Sequence, residues 1–382
     1  MEELGRRFPL ISQIILNNID DKSLTKFRKA SRENMIFLDS EIFYWIRNIK
    51  KYSANFQEFQ RAWKKVIKRT PSEFLKNLAI CVHSFFKGYS TRYEKQWHPL
   101  FIGAQCGSQS LCEHVVERTG DVNHKRIDGF TPLGFAAQEG HLAVCSFLIK
   151  YIDDKNPGDN DGYTPLHFAA KNGHLDVWKL LSNYLDNKNP STKDGWTPLH
   201  SASTYGHLNI CAAIITHQGN KNPVNNTGFT PLHSAAHNGH LEICRLLIQN
   251  VDDKNPADED GLTPLHFAAN EGHLKICQLL MLNINIKNPP ADDDGITPLH
   301  YAAIEGHLDV CKEIIQYLDD INPRNNDGWT PLHCASYFGH LELCESFSEN
   351  IEDLNPYTND GKTPIHFSNE IVPLLRLAQI KK

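Results

Sequence analysis

No stretch of this chain approaches the run of about 18 apolar residues that a membrane-spanning helix needs. The first ten residues, MEELGRRFPL, lack the apolar core of a secretory signal. Together these absences predict a protein made and kept in the cytosol or nucleus. HExxH and paired Cys-x-x-Cys ligand sets are missing, as are a glycine-rich phosphate loop and a GxSxG elbow. No metal, no cofactor and no catalysis by the chain itself are therefore expected.

What is present in abundance is a repeat. Turn glycines fall at Gly129, Gly162, Gly195, Gly228, Gly261, Gly295, Gly328 and Gly361, a spacing of 33 broken once by 34. The unit is clearest in TPLHFAAKNGHLDVWKLL, Thr164 to Leu181. Thr164 can cap a helix whose first position is Pro165, where a missing N–H is no loss. Leu166, Ala169 and Ala170 supply an apolar face, Gly173 ends that helix, and DVWKLL carries the 3.6-residue period of a second one. Neither helix can bury its stripe alone, so copies must stack. The Thr-Pro-Leu-His-x-Ala signature at this period resembles the ankyrin repeat. The resemblance implies an all-α fold: an ankyrin-repeat solenoid of helix pairs with β-hairpin loops, preceded here by a small helical N-terminal domain. The array is expected over residues 96–382 as about nine units including both caps, the first degenerate and the last with Pro373 where its second helix should run on.

The repeat also accounts for residues that would otherwise suggest chemistry. Of ten cysteines, Cys112, Cys145, Cys211, Cys244, Cys277, Cys311 and Cys344 share one repeat position, and Trp178 takes it in the remaining repeat. Stacked helices lie about 8–10 Å apart, whereas a disulfide needs Cα atoms within about 7 Å. These cysteines are therefore expected to pack as free thiols. Fourteen of twenty histidines fall in TPLH (His167 to His366) or in GH (His141 to His340), where imidazole can bond across loops and between repeats. The recurring Asn-Pro of DKNP-type connections, such as Asp153 to Pro157, is expected to stop one segment and launch the next loop.

Residues 1–96 differ in character. They hold 19 Lys and Arg against 10 Asp and Glu, while residues 97–382 hold 20 against 35. Phe8 to Trp45 reads as three short helices, with Pro9 after Phe8, an Ile15-Leu16 pair, Leu24-x-x-Phe27-Arg28, Ser31-Arg32 and a closing Tyr44-Trp45. This pattern resembles the F-box. The resemblance implies an F-box-like module over residues 1–50 that docks on an Skp-type adaptor of a cullin ubiquitin ligase through Phe8, Pro9, Ile15, Leu16, Leu24 and Phe27. The alternative is a non-catalytic scaffold whose N-terminal helices only cap the stack. Residues 51–95 read as a basic helical connector, with Phe56, Phe59, Trp63 and Ile67 on one helix face. Its WKKVIKR run is read as a solvated face or as an attachment to the acidic array, not as a nucleic-acid site.

The residue after each turn glycine varies between fixed neighbours: Phe130, Tyr163, Trp196, Phe229, Leu262, Ile296, Trp329 and Lys362. In the family that the repeat resembles, this place projects toward the concave binding face. Tyr163, Trp196, Phe229 and Trp329 are expected to bind a target protein, joined by Tyr205 and Tyr337 from the pairs that precede each GH. The opposing reading is that these rings only pack against the neighbouring hairpin.

Overall fold

The structure is a computed structural model that describes residues 99–120, 122–217, 219–291, 294–368 and 373. The F-box-like and connector segments, 1–50 and 51–95, lie outside the described residues. Helices alternate short and slightly longer from Pro99 onward, and no strand occurs among the described residues. Contacts group the chain into two compact units. In the first, α1 (Pro99–Cys106), α2 (Gln109–Thr119), α3 (Pro132–Gln138) and α4 (Leu142–Leu148) form two pairs, followed by the start of α5 (Pro165–Lys171) and most of α6 (Leu175–Ser182). Helix α1 packs on α3, and α2 on α4.

The second unit holds α7 (Pro198–Thr204), α8 (Leu208–His217), α9 (Pro231–His237), α10 (Leu241–Ile248), α11 (Pro264–Asn270) and α12 (Leu274–Asn283). It continues with α13 (Pro298–Glu305), α14 (Leu308–Ile315), α15 (Pro331–Tyr337), α16 (Leu341–Asn350) and a 3-10 turn at Pro364–His366. First helices stack on first helices and second on second. Their contact is close because the inward positions are small. Ala202, Ala235, Ala236, Ala268, Ala269, Ala302, Ala303 and Ala335 are fully buried in the first helices, beneath Leu199, Leu232, Leu265, Leu299 and Leu332. In the second helices the repeat cysteines are buried and free. Burial pushes the Cys211, Cys244 and Cys277 thiols up to about 12, so they pack as neutral, inert groups. In the first unit Trp178 fills that position, almost fully buried, with its indole Nε1–H unpartnered.

From α7 onward each first helix begins with a variant of the capping box in which histidine replaces the usual Glu or Gln. Thr197 Oγ1 accepts from the His200 N–H at 3.4 Å, while the Thr197 N–H donates to His200 Nδ1 at 3.2 Å. The same reciprocal pair occurs at Thr230–His233, Thr297–His300 and Thr330–His333. Proline occupies the first helical position each time.

The GH glycines Gly173, Gly206, Gly239, Gly272 and Gly306 answer two demands at once. Gly239 has φ +78°, a left-handed backbone that residues bearing a Cβ resist. A Cβ there would also lie 2.8 Å from the ring of His273, which belongs to the next repeat. That ring donates from Nε2 to the His237 carbonyl at 3.1 Å. His207, His240, His307 and His340 reach back to Lys171, Thr204, Asn270 and Ile304 in the same way.

The loops close as tight hairpin turns, and none of them carries an assigned strand among the described residues. Each is a single tight turn with one cross-loop pairing, as where the Asn225 N–H donates to the Phe229 carbonyl and the Gly228 N–H to the Asn225 carbonyl. Four residues are too few to extend a ladder on either side. Neighbouring turns are tied laterally instead. Asn226 gives its backbone N–H to the Asp194 carbonyl and its amide Nδ2 to the Lys193 carbonyl, and Asn359 does the same to Asp327 and Asn326.

The one 34-residue spacing is absorbed inside a single turn. The Ala291 N–H reaches the Ile296 carbonyl five residues on, whereas Asp258 reaches Leu262 in four. On one side Asn288 still accepts from the Leu299 N–H at 3.0 Å, and on the other His266 Nε2 still meets the Ile296 carbonyl at 3.2 Å.

Candidate target-binding surface

The variable residue after the turn glycine is hydrogen-bonded into the frame through its backbone. In the second unit the Phe229 N–H donates to Asn225 Oδ1 at 2.8 Å, and the Phe229 carbonyl accepts from the Asn225 N–H at 2.9 Å and from His200 Nε2 at 3.0 Å. Trp329 repeats the scheme with Asn325 Oδ1 at 2.7 Å and His300 Nε2 at 3.1 Å, and Leu262 with Asp258 Oδ1 and His233 Nε2. These backbone bonds do not depend on which side chain stands there.

Those side chains are half-buried in the places read from the sequence as target-binding. In the first unit Tyr163 sits edge-on to His167, with ring centroids 5.5 Å apart. In the second, Trp196 lies edge-on to His200 at 5.1 Å and 6.0 Å from Phe229. Phe229 stacks on His233 at 4.9 Å and meets Phe267 of the next repeat at 5.3 Å. Trp329 contacts Phe367 of the next repeat at 4.7 Å and Tyr337 at 5.6 Å. Tyr205 and Tyr337 are exposed, 51% and 56% respectively, and Lys171 Nζ lies 5.3 Å from the Tyr205 ring. The structure thus joins Trp196 to Phe229 and Trp329 to Tyr337, while Tyr163 belongs to the other unit. The adaptor-facing residues Phe8, Pro9, Ile15, Leu16, Leu24 and Phe27 lie outside the described residues.

Packing accounts for one edge of each ring and leaves another open. The sequence reading missed the packing partner, an aromatic residue on the first helix of the following repeat, as in Phe130–Phe168 (4.6 Å) within the first unit, Phe229–Phe267 and Trp329–Phe367. The signal was the residue after each TPLH, which is Phe168, Phe267, Tyr301 or Phe367 in some repeats and Ser201, Ser234 or Cys334 in others. Phe338 also emerges as a surface ring, 52% exposed and 5.1 Å from Tyr337.

The connections are scaffold. Asn156, Asn189, Asn255 and Asn288 each accept at Oδ1 from the N–H of the leucine that follows the helix-starting proline. Lys155 Nζ donates to the Ile149 carbonyl at 2.7 Å and to the Ile152 carbonyl, at the end of the preceding helix. Among the described residues, no group of three or more His, Cys, Asp or Glu is placed to hold a metal ion, and no helix is long and apolar enough to cross a membrane.

A family model described as "Ankyrin repeats (3 copies)" matches residues 100–192, 183–258, 246–325 and 310–376, well over half of the chain. No curated protein matches the sequence. With the helix pairs, the Thr-His capping boxes and the GH bridges described above, this match shows that the chain belongs to the ankyrin-repeat family.

Proposed function

We propose that the chain is a substrate receptor of a cullin-type ubiquitin ligase, in which the repeat array captures a target protein and residues 1–50 dock on an Skp-type adaptor. Ankyrin repeats are protein–protein interaction modules, and the array is read as one. One observation carries the target half: the bonds from the frame to Phe229 and Trp329 use their backbone atoms, so they do not require an aromatic side chain, yet the chain fills three of the six post-glycine places in the second unit with Trp196, Phe229 and Trp329, all half-buried. Large rings bury much area at small rotamer cost and are enriched among binding hot spots. The adaptor half is supported by the sequence pattern from Phe8 to Trp45 alone, for no F-box model matches there.

A single pull-down of the full chain, read by mass spectrometry, tests both halves. Leu24→Asp with Phe27→Asp is expected to release the adaptor and keep the target. Trp329→Ala and Tyr337→Ala are expected to weaken target capture by about 2 kcal/mol or more each, the hot-spot scale, and to keep the adaptor. Because Trp329 also packs on Phe367, its melting curve is recorded beside its binding. Adaptor retention by the folded double variant overturns the ligase reading and leaves the non-catalytic scaffold. Full target capture by Tyr337→Ala and Trp329→Ala makes the ring row packing only.

A further inference from the structure

The ring row of the second unit runs into a surface of uniform charge. Phe267, Tyr301 and Trp329 are half-buried, and Tyr337 and Phe338 are more than half exposed, so three successive repeats present aromatic edges to solvent. Along each repeat the order is turn carboxylate, ring, helix end: Asp260–Phe267–Glu271, Asp294–Tyr301–Glu305, Asp327–Trp329–Tyr337. Residues 257–271, 291–305 and 325–338 together contain nine Asp and Glu and no Lys or Arg. Glu259, Asp260, Glu271, Asp294, Glu305 and Asp327 are exposed. Among the described residues, only Glu271 has an ion-pair partner, His237 at 3.6 Å. Backbone bonds tie neighbouring turns: the Asn326 N–H donates to the Asp294 carbonyl, holding the Asp294 and Asp327 turns together, and the Glu259 N–H donates to the Thr227 carbonyl of the turn before. Carboxylates of two repeats converge on one ring: burial, then Asp294, Asp258 and Asp260, hold the Tyr301 hydroxyl above its usual range.

We infer that this stretch receives a Lys- or Arg-rich segment of the target protein, with cationic heads at Asp260, Asp294 and Asp327 and aliphatic stems along Tyr301, Trp329 and Tyr337. The inference rests on the reading of the ring row as target-binding and adds the chemistry of the partner. Long cationic side chains suit both parts of the surface. Their stems cover apolar area while the heads stay at the rim, and a cation over an aromatic face gains further attraction. Carboxylates that lack a counter-charge among the described residues are the part of the surface a cationic partner neutralises, which steers association and selects against acidic partners.

The probe is a fluorescein-labelled peptide of alternating Lys and Ala, titrated with the full chain and followed by anisotropy. Three exposed carboxylates are neutralised together as Asp260→Asn, Asp294→Asn and Asp327→Asn. The control carries the same charge change on helix α16, Glu342→Gln, Glu345→Gln and Glu349→Gln, also exposed. The first triple variant is expected to weaken peptide binding about tenfold or more, and the control by less than about twofold, because screened surface charges act mainly within a Debye length. Raising salt from about 50 to about 300 mM should weaken the wild type far more than the first variant. Equal losses in both variants, no loss in the first, or no binding by the wild-type chain overturns the inference; the last includes occupation of the site by the basic residues 51–95. If it is overturned while Trp329→Ala still releases the target, the binding surface stands and the cationic partner falls. If the peptide follows the three carboxylates while Trp329→Ala and Tyr337→Ala hold the target, the ring row is not the target site.

Discussion

A histidine that accepts a backbone N–H at Nδ1 and donates from Nε2 has no place for a second proton. His266 is in that position: the Thr263 N–H points at its Nδ1 at 3.0 Å, and its Nε2 meets the Ile296 carbonyl at 3.2 Å. Burial lowers His233, His266 and His300 to about 4, below the usual value near 6.5. The unfolded chain therefore takes up protons first as pH falls. The stability contributed by the neutral rings is complete above about 6.5, shrinks as pH drops toward 4, and levels off below that. At about 1.4 kcal/mol per pKa unit, each ring accounts for about 3 kcal/mol of acid destabilisation. His266→Gln keeps an acceptor for the cap and cannot titrate. It is expected to lower stability at pH 7.5, through loss of the bond to Ile296, and to flatten the dependence of Tm on pH between 6.5 and 4. An unchanged slope would place the acid sensitivity elsewhere.

At the scale of the element, the helix pairs depend on bonds that run between distant sequence positions. The short first helix cannot stand alone, and its start is held from ten residues upstream by the Asn of the Asn-Pro connection. Asn189→Ala, which removes the 2.9 Å acceptor of the Leu199 N–H, is expected to cost about 1–2 kcal/mol in urea unfolding. Asn222→Ala should cost clearly less, because Asn222 Oδ1 is buried without a partner. Equal costs would mean that the Asn side chain serves the turn and not the helix. Within one repeat the sequence was highly legible: Thr and Pro start the first helix, Gly ends it, and the cysteine position marks the buried stripe, because each depends on residues within a turn or two. Contacts between repeats were not legible. The reach of Asn189 to Leu199 leaves no local pattern, and the packing of Trp329 on Phe367, signalled only by the residue after the TPLH-type helix start one repeat later, decides how much of that ring remains free. The lateral bonds of the hairpin turns, such as Asn226 to Asp194, were hidden for a related reason, since they join residues about one repeat apart.

For the repeat array, stability is a sum of repeats and their interfaces, and among the described residues the cysteines are free and no group is placed to hold a metal ion. Eight of the ten cysteines are buried free thiols. Ellman titration of the native chain should show no more than the remaining two as fast-reacting, with all ten reacting in denaturant, and reductant plus chelator should leave Tm unchanged. More than two fast thiols, or a fall of several degrees, would contradict the packing described for the second helices. The extra residue between Gly261 and Gly295 points to a practical use. Because that turn takes up a change in length while the bonds at Asn288 and His266 on either side hold, it is the natural port for a guest sequence: an epitope or a fluorophore-binding tag spliced between Ala291 and Ile296 would ride on the array as cargo, leaving the rest of the chain to read in its original frame.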